Sequence, residues 1–125
     1  MQTRSIAFII FALGLVVTPA NSFANKASVK IEVTPAADSR SEVVIKILVF
    51  HHGNNLFHHV EWVDVEINNK PLRRWEFSAF HLPESGDFSR EITYKVEEAG
   101  EIVGQASCNI HGSTGPATSK ISPAP

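Results

Sequence analysis

Cysteine is all but absent: Cys108 is the only one in 125 residues. A single thiol excludes any internal disulfide, so nothing staples the fold. For a lone cysteine the ordinary role is that of a small, buried, inert hydrophobe, although in an oxidising compartment an unpaired thiol is exposed to oxidation. Methionine is equally scarce, Met1 being the only one. No run or stripe of Lys and Arg occurs, which removes the electrostatic footprint of a nucleic-acid binder or of a protein that sits on anionic membranes. No segment keeps apolar residues at helical spacing for three turns, so a helical bundle is excluded. Neither an internal repeat nor a second domain is visible.

Long apolar runs are missing too, with one short exception. Ile6 to Val17 is uncharged and apolar, follows Arg4, and precedes Ser22-Phe23-Ala24, which places small residues at −3 and −1 of a cleavage point. The run is shorter than the roughly 20 residues of a membrane span. Residues 1–24 are therefore expected to be a signal peptide cut after Ala24, with an uncleaved N-terminal anchor as the alternative. The expected destination is the periplasm or the exterior, with no membrane attachment after cleavage. The remaining residues 25–125 carry 10 Lys/Arg against 13 Asp/Glu, a formal charge of −3. They are enough for one domain with one core.

Short segments of strand chemistry fill that domain. Ser28 to Val33 alternates weakly, and Glu42 to Phe50 is apolar on both faces except at Lys46, as a central strand would be. Val60 to Ile67 is rich in β-branched residues and runs through Asn68-Asn69, a hairpin signal, into Leu72 to Phe77. Phe88 to Val96 and Glu101 to Cys108 read as a second pair around Gly100, and Thr118 to Ser122 would close the sheet. Pro and Gly mark the connections. The expected fold is all-β, an immunoglobulin-like antiparallel β-sandwich of a single domain. A small barrel is not separable from it by propensity alone. Residues 118–125 are expected to be partly a loose tail.

Four of the six histidines fall within nine residues, His51, His52, His58 and His59. His111 stands three residues after Cys108, and His81 stands alone beside Pro83 and reads as a loop residue. Imidazole and thiolate are the donors that borderline and soft transition metals prefer. A C-x-x-H step at a strand end would turn both side chains toward one point, and the His-flanked loop Gly53–Phe57 would wrap the same ion. Alternation allows one member of each histidine doublet to face it: from a strand starting near His58, His58 goes with Val60 and Trp62, and His59 with Glu61 and Val63. The blander alternative is surface histidines around a core cysteine.

Two segments resemble the superoxide reductase family, the neelaredoxins, whose domain also forms the iron-binding part of desulfoferrodoxin. The family's H-P-M-x-x-x-H-Y-I-x-W-I segment is similar to His52 through Val63 in histidine spacing and in Trp62. Its C-N-x-H-G segment is similar to Cys108-Asn109-Ile110-His111-Gly112. The resemblance covers the chain from about Asn25 to Gly112. It implies one iron per chain, cycling between Fe2+ and Fe3+, with His52, His58 and His111 as equatorial ligands and Cys108 as the axial thiolate. The family's further histidine comes from an E-K-H-x-P-x-I-E segment, whose counterpart here is Asn25 through Glu32. Ala27 stands in the place of that histidine and Asn25 in the place of the glutamate. Lys26 is kept, the counterpart of the lysine thought to attract superoxide and assist protonation. The open position left at Ala27 would fall to water, to His51 or His59, or to the mature N-terminal amine.

The function so implied is one-electron reduction of superoxide to hydrogen peroxide. With no second cysteine cluster, the electron would come from an external donor protein. The alternative is a non-catalytic metal-binding or electron-transfer module, either cupredoxin-like or a degenerate member of the same family. A blue-copper site would need a weak axial ligand, and no methionine follows His111, so copper is the less favoured metal. Oligomeric state is not readable from the sequence.

Overall fold

The computed structural model of the chain describes residues 25–125. The expected signal peptide, residues 1–24, lies outside the described residues. Seven strands follow one another: β1 (Ser28–Pro35), β2 (Glu42–Phe50), β3 (Val60–Ile67), β4 (Lys70–Glu76), β5 (Phe88–Lys95), β6 (Gly100–Cys108) and β7 (Ala117–Ile121). They form two antiparallel sheets, ordered β1-β2-β5 and β4-β3-β6-β7. The described residues contain no α-helix, and the all-β sandwich expected from the strand pattern is the fold observed.

Between the sheets lie Ile45, Ile47 and Val49 of β2, Val63, Val65 and Ile67 of β3, and Ile102 and Ala106 of β6. Period-2 alternation explains which residues these are, since successive side chains of a strand point to opposite faces. Each fully buried aliphatic side chain contributes about 1.5–3 kcal/mol relative to exposure. Where β1 crosses β6 the approach is close: a Cβ on Gly104 would lie 3.2 Å from Ile31 Cδ1. Asn68 and Asn69 both have positive φ, 52° and 63°, the backbone of a type I′ hairpin turn, whose twist matches the strands on either side.

Two sequence expectations are corrected. β5 and β6 are not a hairpin pair: β5 pairs with β2 and β6 with β3 and β7. The chain changes sheets between them, because Val96 N–H still bonds to Ser41 O whereas Glu101 N–H already bonds to Asn68 Oδ1 on the β3–β4 turn. The alternation in β3 also breaks. A register shift between Val60 and Trp62 puts Val60 and Val63 both inward, while Trp62 lies under the Arg74 guanidinium, 4.8 Å from ring centre. Trp62 therefore does not share a face with Val60. The bulge inserts one residue and reverses the phase.

At one end of the sandwich β2 runs out at Phe50, β3 begins at Val60 and β6 ends at Cys108. Val60 is the register partner of Cys108. The histidine-rich loop and the C-x-x-H loop are thereby delivered to the same end.

Candidate metal centre

The Cys108 loop is closed by its own backbone. Cys108 N–H bonds to Gly112 O (2.9 Å) and Gly112 N–H to Cys108 O (3.0 Å). So tight a reversal requires the left-handed backbone found at Gly112, φ 75°, a region costly to any residue with a Cβ. His111 is thus turned back over Cys108: its Nδ1 is 3.8 Å from Sγ, and its backbone N–H points at Sγ from 3.5 Å. Cys108 itself is buried.

Asn109 joins this loop to the histidine loop. Its Oδ1 accepts from His59 N–H (3.0 Å), its Nδ2 donates to Phe57 O (3.1 Å), and its backbone N–H donates to His59 O (3.0 Å). His58, held between the two contacts, meets His111 at 3.0 Å between Nε2 and Nδ1.

His51 enters from β2. Inward-facing residues Ile45, Ile47 and Val49 alternate with Lys46, Leu48 and Phe50, and one more step of the same phase brings His51 inside, where it is 5% exposed. Its ring centre is 4.5 Å from that of His58. Donor atoms of His51, His58 and Cys108 all lie within 4.8 Å of one another. Burial holds the His51 imidazole below its ordinary pKa and the neighbouring His58 adds to this, against weaker contributions from Asn54 and the backbone at Gly53 and Asn25. The neutral imidazole so favoured is the form that binds metals.

Of the residues singled out in the sequence, the structure therefore brings His58, Cys108 and His111 together. His52 is exposed, one step out of phase with His51, and lines a cavity of about 420 Å3 together with Lys26, Ser28, Phe50, His51 and Asp87. His59 is buried but its Nδ1 is engaged by Asn55 O at 3.1 Å, and His81 is exposed in a turn closed by Ser78. Ala27 is fully buried, and its backbone clips the Cys108 loop through Gly112 O and Thr114 N–H.

This donor set fits a transition-metal ion. Two ligands on one ion lie about 3–4 Å apart when bonds are about 2.0–2.1 Å to nitrogen and about 2.3 Å to thiolate sulfur, which brackets the separations of His111 from His58 and from Cys108. The His51 Nε2 atom is buried without a hydrogen-bond partner among the described residues, a costly state for a polar nitrogen that an ion would relieve.

The Desulfoferrodoxin family model matches residues 20–113. Among solved structures the chain is similar to the superoxide reductase (neelaredoxin) from Ignicoccus hospitalis, with 21% identity over 81% of this chain and 84% of that one, at a TM-score of 0.61. It is also similar to the superoxide reductase from Nanoarchaeum equitans, with 23% identity, 75% and 91% coverage and a TM-score of 0.55. A variant of the superoxide reductase (neelaredoxin) from Archaeoglobus fulgidus is similar at 22% identity, 86% and 98% coverage and a TM-score of 0.56. No curated protein matches the chain. The structural matches carry the shared sandwich, and the family match extends over most of the sequence and takes in both the histidine loop and the Cys108 loop: the chain belongs to the desulfoferrodoxin family, whose members bind non-haem iron.

Proposed function

We propose that the chain is an exported superoxide reductase, adding one electron and two protons to superoxide to give hydrogen peroxide at an iron held by His51, His58, His111 and Cys108. The observation that carries this reading is the convergence of His51, His58 and Cys108 donors within 4.8 Å in a chain of this family. When bound, the iron would supply the one-electron redox step, with the Cys108 thiolate as the strongly donating ligand.

The chain's own residues have separable tasks. His51, His58 and His111 hold the ion as neutral imidazoles. Lys26, on the wall of the adjoining cavity, draws the superoxide anion in and supports protonation of the product. Phe50, on the same wall, narrows access for water. His51 supplies the third histidine in a chain whose position 27 is alanine. The electron comes from outside, from a one-electron donor protein, because the single cysteine leaves no thiolates for a second iron centre. A second reading, metal binding without turnover, is favoured by Ala27, since one family ligand is lacking.

The test is to load the purified chain with iron and follow superoxide after pulse radiolysis. One iron per chain is expected, with a thiolate charge-transfer band lost in Cys108→Ser. His51→Ala should weaken iron binding by at least tenfold while His52→Ala leaves it within about threefold. Lys26→Ala should slow the reaction with superoxide and retain iron. Copper at one per chain, or iron bound without consumption of superoxide, would refute the reductase. Equal losses from His51→Ala and His52→Ala would refute the ligand assignment. Export is tested separately by mass spectrometry of the mature protein, whose first residue should be Asn25; an intact leader would refute cleavage.

A further inference from the structure

We propose that Asn54 is a positioning residue for the metal centre: it fixes the His51 imidazole in the tautomer with hydrogen on Nδ1, leaving the Nε2 lone pair ready for the ion.

Two backbone groups settle the orientation of the Asn54 amide. Its Oδ1 accepts from Val60 N–H at 2.7 Å, and its Nδ2 donates to Ser85 O at 2.6 Å. Turning the amide over would set N–H against N–H and oxygen against oxygen, losing both bonds. The atom that faces His51 Nδ1 at 3.2 Å is therefore the oxygen, and an oxygen can only accept. A neutral imidazole carries one hydrogen. Placed on Nδ1 to meet Asn54, that hydrogen leaves Nε2 bare, and Nε2 is the buried ring nitrogen with no hydrogen-bond partner among the described residues.

The backbone of His51 is held just as firmly. Its N–H donates to Asp87 Oδ1 at 3.2 Å and its carbonyl accepts from Gly53 N–H at 2.9 Å. Gly86 packs so closely that a Cβ there would lie 2.8 Å from His51 O. Ser85, Gly86 and Asp87 thus form a platform against which Asn54 and His51 are set together. An outer hydrogen bond that fixes the tautomer of a ligating histidine commonly changes metal affinity by 10–100-fold when removed. The purpose of the arrangement rests on the iron-site reading above, but the tautomer does not.

The full chain, 15N-labelled on histidine and kept free of metal, reports the tautomer directly in long-range proton–nitrogen NMR spectra. His51 should be in the Nδ1–H form. Asn54→Ala should turn it into a mixture and lower the affinity for ferrous ion by 10–100-fold. Asn54→Asp keeps an acceptor oxygen for both His51 and Val60 but sets its second oxygen against Ser85 O, so it should restore the single tautomer and only part of the affinity. Finding the Nε2–H form in the unmodified chain overturns the proposal without any variant having to fold. So does an Asn54→Ala protein whose His51 tautomer and iron affinity are both unchanged. If the unmodified chain binds no iron but shows the Nδ1–H form lost in Asn54→Ala, the positioning stands and the iron-site reading fails.

Discussion

Replacing Asn109 by alanine should cost about 2 kcal/mol in the metal-free chain, although the residue is exposed. The side chain makes two bonds across 50 and 52 residues of sequence, accepting from His59 N–H and donating to Phe57 O. The second is exposed and contributes about 0.5 kcal/mol. The first satisfies an N–H on a buried residue, and removing its acceptor costs about 1–3 kcal/mol. A domain of this size should lose roughly 10 °C in Tm for such a change. Asn109→Asp keeps the acceptor for His59 N–H but sets an exposed oxygen against Phe57 O, so it should cost less than the alanine variant. Urea unfolding of the metal-free proteins measures both, with an unchanged m-value as the sign that the denatured state is not involved. Because the same bonds clamp the loop bearing His58 to the loop bearing Cys108 and His111, Asn109→Ala should also weaken iron binding. An Asn109→Ala protein within about 0.5 kcal/mol of the parent, or an aspartate variant as damaged as the alanine one, would refute the clamp.

Gly112→Ala meets no atom within 4 Å of its new Cβ, so its expected cost of about 1–2 kcal/mol comes from the left-handed backbone alone. Thermal unfolding would expose an error if the loss were negligible. Asn69→Gly should stabilise the β3–β4 turn by about 0.5 kcal/mol, since φ is 63° there and Asn-Gly is the preferred I′ pair; a loss of stability would refute it. The Arg90 guanidinium, bonded at 2.7 and 3.0 Å to the two Glu84 oxygens, holds that carboxyl below the ordinary Glu range. A lowered folded pKa means that the contribution is present at neutral pH and is lost as the pH falls through the folded value. Glu84→Gln should therefore cost about 0.2–1 kcal/mol at pH 7, the range for a solvent-screened pair, and nothing in strong acid. A difference that persists there would assign the effect to packing.

The strands were legible because their chemistry is local. β-Branched runs, Asn-Asn at a hairpin and Gly or Pro at the ends place β2 and β3 correctly to the residue and the other five within about two. What crosses the molecule was not legible. β5 and β6 look like neighbours in sequence, yet each finds its hydrogen-bond partners in a different sheet, a choice made by the whole sandwich. The bulge at Val60–Trp62 likewise leaves no compositional mark, and it undoes the face assignment beyond it.

The candidate metal centre shows the same division at the scale of single side chains. Cys108 and His111 could be picked out together from their spacing, and the resemblance to the family segment added Asn109 and Gly112, because all four lie within five residues. In the His51-His52 doublet, motif spacing favours His52, whereas the alternation of Ile45, Ile47 and Val49 continued by two residues gives His51. The two signals disagree because motif spacing counts residues through a loop, while the strand's phase governs only as far as backbone order extends. Here the order continues past Phe50, since Asp87 and Gly53 hold the His51 backbone and Asn54 holds its ring. The phase rule is therefore the one that decides which imidazole reaches the interior. For the proposed iron site it also accounts for a third histidine in a chain with alanine at position 27. Burial at the end of β2 provides it, using a residue that the family's spacing passes over.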